Sequence, residues 1–391
     1  MRRAVFTHAR LLDPEGSAPE GGSLVLEAGR IAGVLGPGAD LPREADRVDC
    51  RGLWLAPGFI DLHHHGRLVF DDANAAEGSL EAASASSVRH GTTAFLPTTV
   101  AWPQDELCER VAGLARALRD RGPGRGWPGA VPLGIHLEGP WIRGEMAGAQ
   151  PRRGIRPYDA GEGRAVLDTA QGSVRLVTLA PELPGADALL GELSRRGIVP
   201  ALGHSLAGAE AIERAIDAGL RHVTHLFNAM GPLHHRDRGT AGIALADDRL
   251  SCDLICDGVH VHPDVVRLAA RAKGDALLLI TDGVELPSFG AASFGSGPLA
   301  SDGVALRLPD GGLAGSCLTL DLAVQNLRRF AGASLRDAVA ACTLRPARLV
   351  GIESERGTLR RGARADLVLL DGAGEVVGCW IGGESVLGRV G

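Results

Sequence analysis

The chain has 391 residues, 45% of them apolar and 23% charged, which suits a soluble globular protein with one large and one smaller domain. A net charge of −6, without a basic block and with few aromatic residues, argues against a nucleic-acid partner. No apolar run nears the roughly 18 residues of a membrane span, so no membrane partner is expected. The start, MRRAVFTHARLLDPEG, lacks the continuous apolar stretch of a signal peptide. Seven scattered cysteines point to a reducing, cytoplasmic setting rather than a disulfide framework.

Residues 1 to 56 read as short strands broken by Gly and Pro: AVFTHARLLD, GSLVLEAGRIAGVLG and RVDCRGLWLAPG. The C-terminal pieces ADLVLLD and EVVGCWIGGESVLG have the same texture, which predicts one small β domain assembled from both ends. Between them, from about Pro57 to Gly351, strand and helix alternate. FIDLHHHG, TTAFLPTT, VPLGIHLEG, VRLVTLAPE, IVPALGHS, HVTHLFNAM, SCDLICDG and ALLLITDG give eight strand candidates, the count of a (β/α)8 TIM-type barrel. An open doubly wound sheet is the alternative, but no GxGxxG follows an early strand. The link from Leu226 to Ser251 is long and shows no clear full helix.

The chemistry collects at the C-terminal ends of these runs. In FIDLHHHG, strand alternation sets Asp61, His63 and His65 on one face and His64 on the other. A His-x-His at a strand end can set two imidazoles around one metal. HLEGPW ends the third run with Glu138, whose two oxygens can serve one cation or bridge two. The fifth and sixth runs, joined by a helix from about Ala207 to Ala218, deliver His204 and His225. His222 falls on the opposite strand face and reads as structural. DGVHVHP adds Asp257, His260 and His262, and LLLITDG ends in Asp282, a natural general base toward a cation-activated water. Nitrogen and carboxylate donors without a thiolate suit Zn²⁺, Fe²⁺, Mn²⁺ or Co²⁺. Lys273, the one lysine beside forty arginines, lies at the wrong end of its unit for barrel chemistry. The spacing predicts a metal-dependent hydrolase.

These stretches, PGFIDLHHHG, HLEGPW, LGHS, THLFNAM, CDGVHV, TDG and LAGSCLTLDLAVQN, resemble in order the signature segments of the N-acetylglucosamine-6-phosphate deacetylase family of the amidohydrolase superfamily. So does the ending TLRPARLVGIESERGTLRRGARADLVLLD. The resemblance implies an α/β fold: a (β/α)8 barrel over residues 57–351 and a small β-sandwich from 1–56 and 352–391. It also implies a homodimer and one or two divalent metal ions per subunit, zinc foremost. Glu138, His204 and His225 match the principal ligands, and His63 and His65 a second metal position. Asp282 matches the catalytic base, and His260 a contact near the acetamide. Asn228, Ala229 and Arg236 match contacts to sugar or phosphate, and Leu313, Ala314 and Gly315 a pocket wall.

The resemblance implies removal of the N-acetyl group from an amino-sugar phosphate, leaving glucosamine 6-phosphate and acetate. The chain departs from the family at AGAQ, where Ala149 and Gln150 replace a stretch ending in histidine. It departs again at RDRG (Arg236 to Gly239), at TDG, and in VELPSFGAASFGSG after Asp282. The loop HHRDRG and the pair Arg152 and Arg153 offer arginines for a phosphate. Competing readings are a related acyl substrate at the same metal site and a non-catalytic scaffold.

Overall fold

A computed structural model describes residues 3–16, 21–69, 73–122, 126–286, 293–294 and 297–388. All eight apolar runs of the middle segment contain barrel strands: β1 (Phe59–Gly66), β2 (Thr92–Pro97), β3 (Ile135–Glu138), β4 (Val174–Leu179), β5 (Val199–Leu202), β6 (His222–Val223), β7 (Ser251–Ile255) and β8 (Leu277–Ile280). Strands β3 to β8 pair in sequence order, each parallel to the next. A bridge from Thr98 to His136 joins β2 to β3, and Gly283 pairs with His64 beyond β8. Parallel β1 and β2 complete the circle. This is a TIM-type barrel, and its strand residues are buried almost throughout, as continuous apolar runs require.

Helices cover the outside. The predicted helix between β5 and β6 spans Ala209–Asp217 and turns Ile212, Ala215 and Ile216 inward. The link after Leu226 does contain a helix, Gly239–Ala246, with the sequence GTAGIALA. It is buried along Thr240 to Ala244 and apolar all round, so it carries no stripe for periodicity to detect. Lys273 lies inside the shell, where its Nζ donates to the carbonyls of Ala244 and Asp247 at 3.1 and 2.8 Å, away from the barrel mouth.

Terminal strands Arg3–Leu11, Gly21–Glu27, Arg30–Leu35, Asp46–Asp49 and Trp54–Pro57 join Leu367–Leu370, Val376–Ile381 and Glu384–Gly388 in one eight-stranded sheet. Antiparallel pairing of Leu367 with Pro57 stitches the two ends together, just before the first barrel strand. The sheet has its own core, with Phe6 edge-on to Trp380 at 4.9 Å among Leu24, Leu55 and Leu367. Cys252 and Cys256 are buried free thiols, pushed up to about 12 by burial. Among the described residues no helix is long and apolar enough to cross a membrane.

Candidate metal centre and active site

The site residues stand where the strands stop. His204, His225 and Asp282 each follow their strand in a left-handed backbone conformation, with φ of 48°, 35° and 51°. That turn swings the side chain out of strand alternation and over the barrel mouth. Gly203 lets β5 approach its neighbours just before the turn; a Cβ there would lie 2.5 Å from Thr178. Asp253, fully buried in β7, holds the backbone N–H of His225 with one oxygen and His222 Nε2 at 2.9 Å with the other. His222 Nδ1 meets Ser251 at 2.8 Å, so that ring is structural.

In β1, His63 and His65 point into the mouth and His64 points behind it. Asp61 does not join His63 and His65 as alternation predicted. The pairing of β1 with β2 shifts register between Asp61 and His64, and the Asp61 carboxylate instead takes the Thr281 hydroxyl at 2.6 Å.

Two trios result, each with ligand atoms within 4.8 Å of one another: Glu138, His204 and His225, and His63, His65 and Asp282. Glu138 faces both. Its Oε1 lies 3.0 Å from His204 Nε2 and 2.9 Å from His225 Nε2. Its Oε2 lies 3.5 and 3.3 Å from Nε2 of His63 and His65, which in turn sit 3.3 and 3.2 Å from Asp282 Oδ1.

The proton inventory shows what these atoms fit. His204 Nδ1 lies 2.7 Å from the Met146 carbonyl, and His65 Nδ1 lies 3.1 Å from that of Thr98. A carbonyl only accepts, so both rings carry a proton on Nδ1, and in its neutral form each presents an Nε2 lone pair. Those lone pairs then face carboxylate oxygens with no proton between. A cation resolves that conflict, and so would a second proton. The same pull shows in the acidities. Burial would lower the His65 pKa, yet hydrogen bonds to Asp282 and Glu138 raise it to about 10; Glu138 likewise lifts buried His225 to about 9. Burial would raise the Glu138 pKa, but the facing imidazoles hold it well below the usual carboxylate range. The donor set fits one or two divalent cations.

Asp282 also stays ionised, because the charge of His63 and the His65 hydrogen bond outweigh its burial. Above the trios lies about 610 Å³ of open space, walled by Ala149, Gln150, Asn228, Ala229, His260 and the strand Leu313–Ser316. His260 Nδ1 is tied to Asp257 Oδ2 at 2.6 Å, leaving Nε2 as its free end. Gly315, at φ 82°, allows Leu313, Ala314 and Gly315 to line the pocket, since a Cβ would lie 3.1 Å from the Asp282 carbonyl. Gln150 is buried and bonded to Glu138 Oε2 at 2.6 Å.

Not every expected residue reaches the pocket. Arg236 is on an exposed loop, its N–H held by His234 Nδ1 at 3.3 Å, and is not part of the wall. Arg152 and Arg153 are occupied by the Gly144 carbonyl and by Glu106. His262 caps the helix Pro263–Lys273. Within VELPSFGAASFGSG, residues 287–292 and 295–296 lie outside the described residues.

Known proteins share both the fold and its sequence. A model of the amidohydrolase family matches residues 54–386. The human N-acetylglucosamine-6-phosphate deacetylase is 37% identical over 96% of this chain and 89% of its own length. An N-acetylgalactosamine-6-phosphate deacetylase of Escherichia coli O157:H7 is 34% identical over 84% of this chain and 87% of its own. The structure of a mutant N-acetyl-D-glucosamine-6-phosphate deacetylase from Mycobacterium smegmatis, in complex with N-acetyl-D-glucosamine-6-phosphate, superimposes with a TM-score of 0.87. It is 32% identical and covers 99% of this chain and 100% of that one. The chain belongs to the amidohydrolase family, and these three relatives, each matched over most of its length, are deacetylases of amino-sugar 6-phosphates.

Proposed function

We propose that this protein is a metal-dependent deacetylase that converts N-acetylglucosamine 6-phosphate to glucosamine 6-phosphate and acetate. The observation that carries the reading is one buried carboxylate, Glu138, facing four imidazoles at the floor of an open pocket, with ionised Asp282 beside it. Glu138, His204 and His225 would hold one cation, and His63, His65 and Asp282 a second; imidazole and carboxylate donors favour zinc. Bound there, a cation would polarise the amide carbonyl and acidify a water. Asp282 takes the water's proton at a carboxylate oxygen and returns it to the leaving nitrogen. His260, its Nδ1 proton held by Asp257, would donate from Nε2 to the oxygen that gains charge when the ring carries a proton on both nitrogens. Asn228, Ala229 and Leu313 to Gly315 position the sugar from the wall.

Acetate release from N-acetylglucosamine 6-phosphate by protein of assayed metal content tests this. A large kcat/KM preference over the unphosphorylated sugar is expected; no turnover by metal-loaded protein would overturn it. A second reading, an unphosphorylated acetyl sugar, is favoured by the position of Arg236 outside the pocket wall, and a galacto-configured 6-phosphate by the likeness to the Escherichia coli N-acetylgalactosamine-6-phosphate deacetylase. The same assay on those sugars decides. For Arg236, a phosphate role requires KM for the phosphorylated sugar to rise in Arg236→Ala. The free cysteines support a cytoplasmic setting. The homodimer, proposed from the family resemblance, is tested by light scattering.

A further inference from the structure

Glu138 offers one oxygen to each trio, but the two oxygens are not equivalent. Gln150 is 4% exposed, and its side chain bridges two fixed partners. Its Oε1 lies 2.8 Å from the backbone N of Ala101. A backbone N–H can only donate, so the amide oxygen must face Ala101 and the NH2 must face Glu138. The resulting bond, from Gln150 Nε2 to Glu138 Oε2 at 2.6 Å, draws on the oxygen that serves His63 and His65. Oε1 receives no amide and sits closer to its imidazoles, at 2.9 and 3.0 Å against 3.3 and 3.5 Å for Oε2.

We infer that Gln150 is a positioning residue that makes the two metal positions unequal. Its bond turns Oε1 squarely toward His204 and His225, where one ion is held tightly. The same bond occupies part of the electron density of Oε2, so an ion among His63, His65 and Asp282 is held more weakly. Outer partners of ligating carboxylates orient them, and losing one typically costs about 10–100-fold in affinity. Here the loss falls on the tight position, while the weak one regains a free oxygen. The inference rests on the metal dependence proposed above and is independent of which sugar is the substrate.

Zinc alone is the probe, titrated into metal-stripped protein in competition with a chromophoric chelator, with bound zinc counted by mass spectrometry. The native protein is expected to show two steps separated by at least about tenfold. Gln150→Met, which keeps volume but cannot donate, should weaken the tight step by about 10–100-fold and narrow the gap. An unchanged gap with only a lower Tm would mean Gln150 is merely structural and would overturn the inference. So would a single cooperative step in the native protein. Should Gln150→Met fail to fold, His63→Gln decides: losing the weaker step supports the assignment, and losing the tighter one refutes it. Protein that binds no zinc at all would instead sink the metal reading itself, whereas failure on a given sugar leaves these titrations untouched.

Discussion

Strand β1 builds two polar chambers from adjacent residues, and their contrast explains which of them calls for a metal. His63 and His65 open into the mouth, while His64 opens into a second cavity behind it, walled by Asp61, Ser86, His90, Thr281 and Glu285. In the rear chamber every acid meets a hydroxyl that brings its own proton: Asp61 takes that of Thr281, and Glu285 that of Ser86. His64 sits between, 3.4 Å from Thr281 Oγ1 and 3.6 Å from Glu285. Among the described residues that line the mouth there is no such hydroxyl. There the acids face imidazole nitrogens, two of them on rings whose Nδ1 protons are already given to backbone carbonyls. The same acids and imidazoles thus give carboxylates served by hydroxyls on one side of a strand and a cation-seeking cluster on the other.

Four experiments probe that contrast, and the largest effect belongs to the mouth. Asp282→Asn should lower kcat by about 10²–10⁴-fold while an ion stays bound at Glu138, His204 and His225; near-normal acetate release would dismiss Asp282 as the base. Next, Asp253→Ala removes the anchor of the His225 backbone and should weaken zinc binding by about 10–100-fold, read by chelator competition. Behind the mouth the pattern should invert. His64→Gln is expected to keep the native zinc content and to lose about 1–3 kcal/mol of stability, measured by denaturant unfolding, because buried partners lose a bond. Zinc loss in that variant would merge the two chambers into one.

The smallest effect is a pH dependence at the rim of the rear chamber. His90 Nδ1 lies 3.1 Å from Asp321, and that bond, opposed by partial burial, raises the His90 pKa. A raised pKa means the pair stabilises fully below the unfolded value of about 6.5 and is lost as pH rises through the higher folded value. The Tm advantage of the native protein over His90→Gln should therefore be full at pH 5 and shrink as the pH rises past about 6.5. An advantage that grows with pH would contradict the pairing.

Much of this was legible in the chain. Eight apolar runs held all eight barrel strands, because parallel strands buried on both faces leave an unbroken apolar signature. The split of His63 and His65 from His64 followed from alternation. Asp61 broke the rule, since a register shift in β1 is a property of its pairing with β2 rather than of its own sequence. The run HVTHLF reads as one strand, yet β6 ends at Val223 and His225 lies beyond it in a left-handed turn. Asp253 and the Gln150 bond to Glu138 were missed as supports. An aspartate inside SCDLIC was the available signal for the first; AGAQ marked Gln150 as a departure but did not show that its loop folds back onto Glu138, at the end of the strand before it.

The left-handed turns at His204, His225 and Asp282 set a limit on how this enzyme can adapt to heat. Such a conformation costs an ordinary residue about 1–2 kcal/mol, and glycine or asparagine would adopt it more readily. A screen rewarding thermal endurance alone would therefore drift toward those residues at these positions and breed robust but inert descendants. Lineages kept under both demands must find their hardiness elsewhere in the chain, most simply in the sheet built from its two ends.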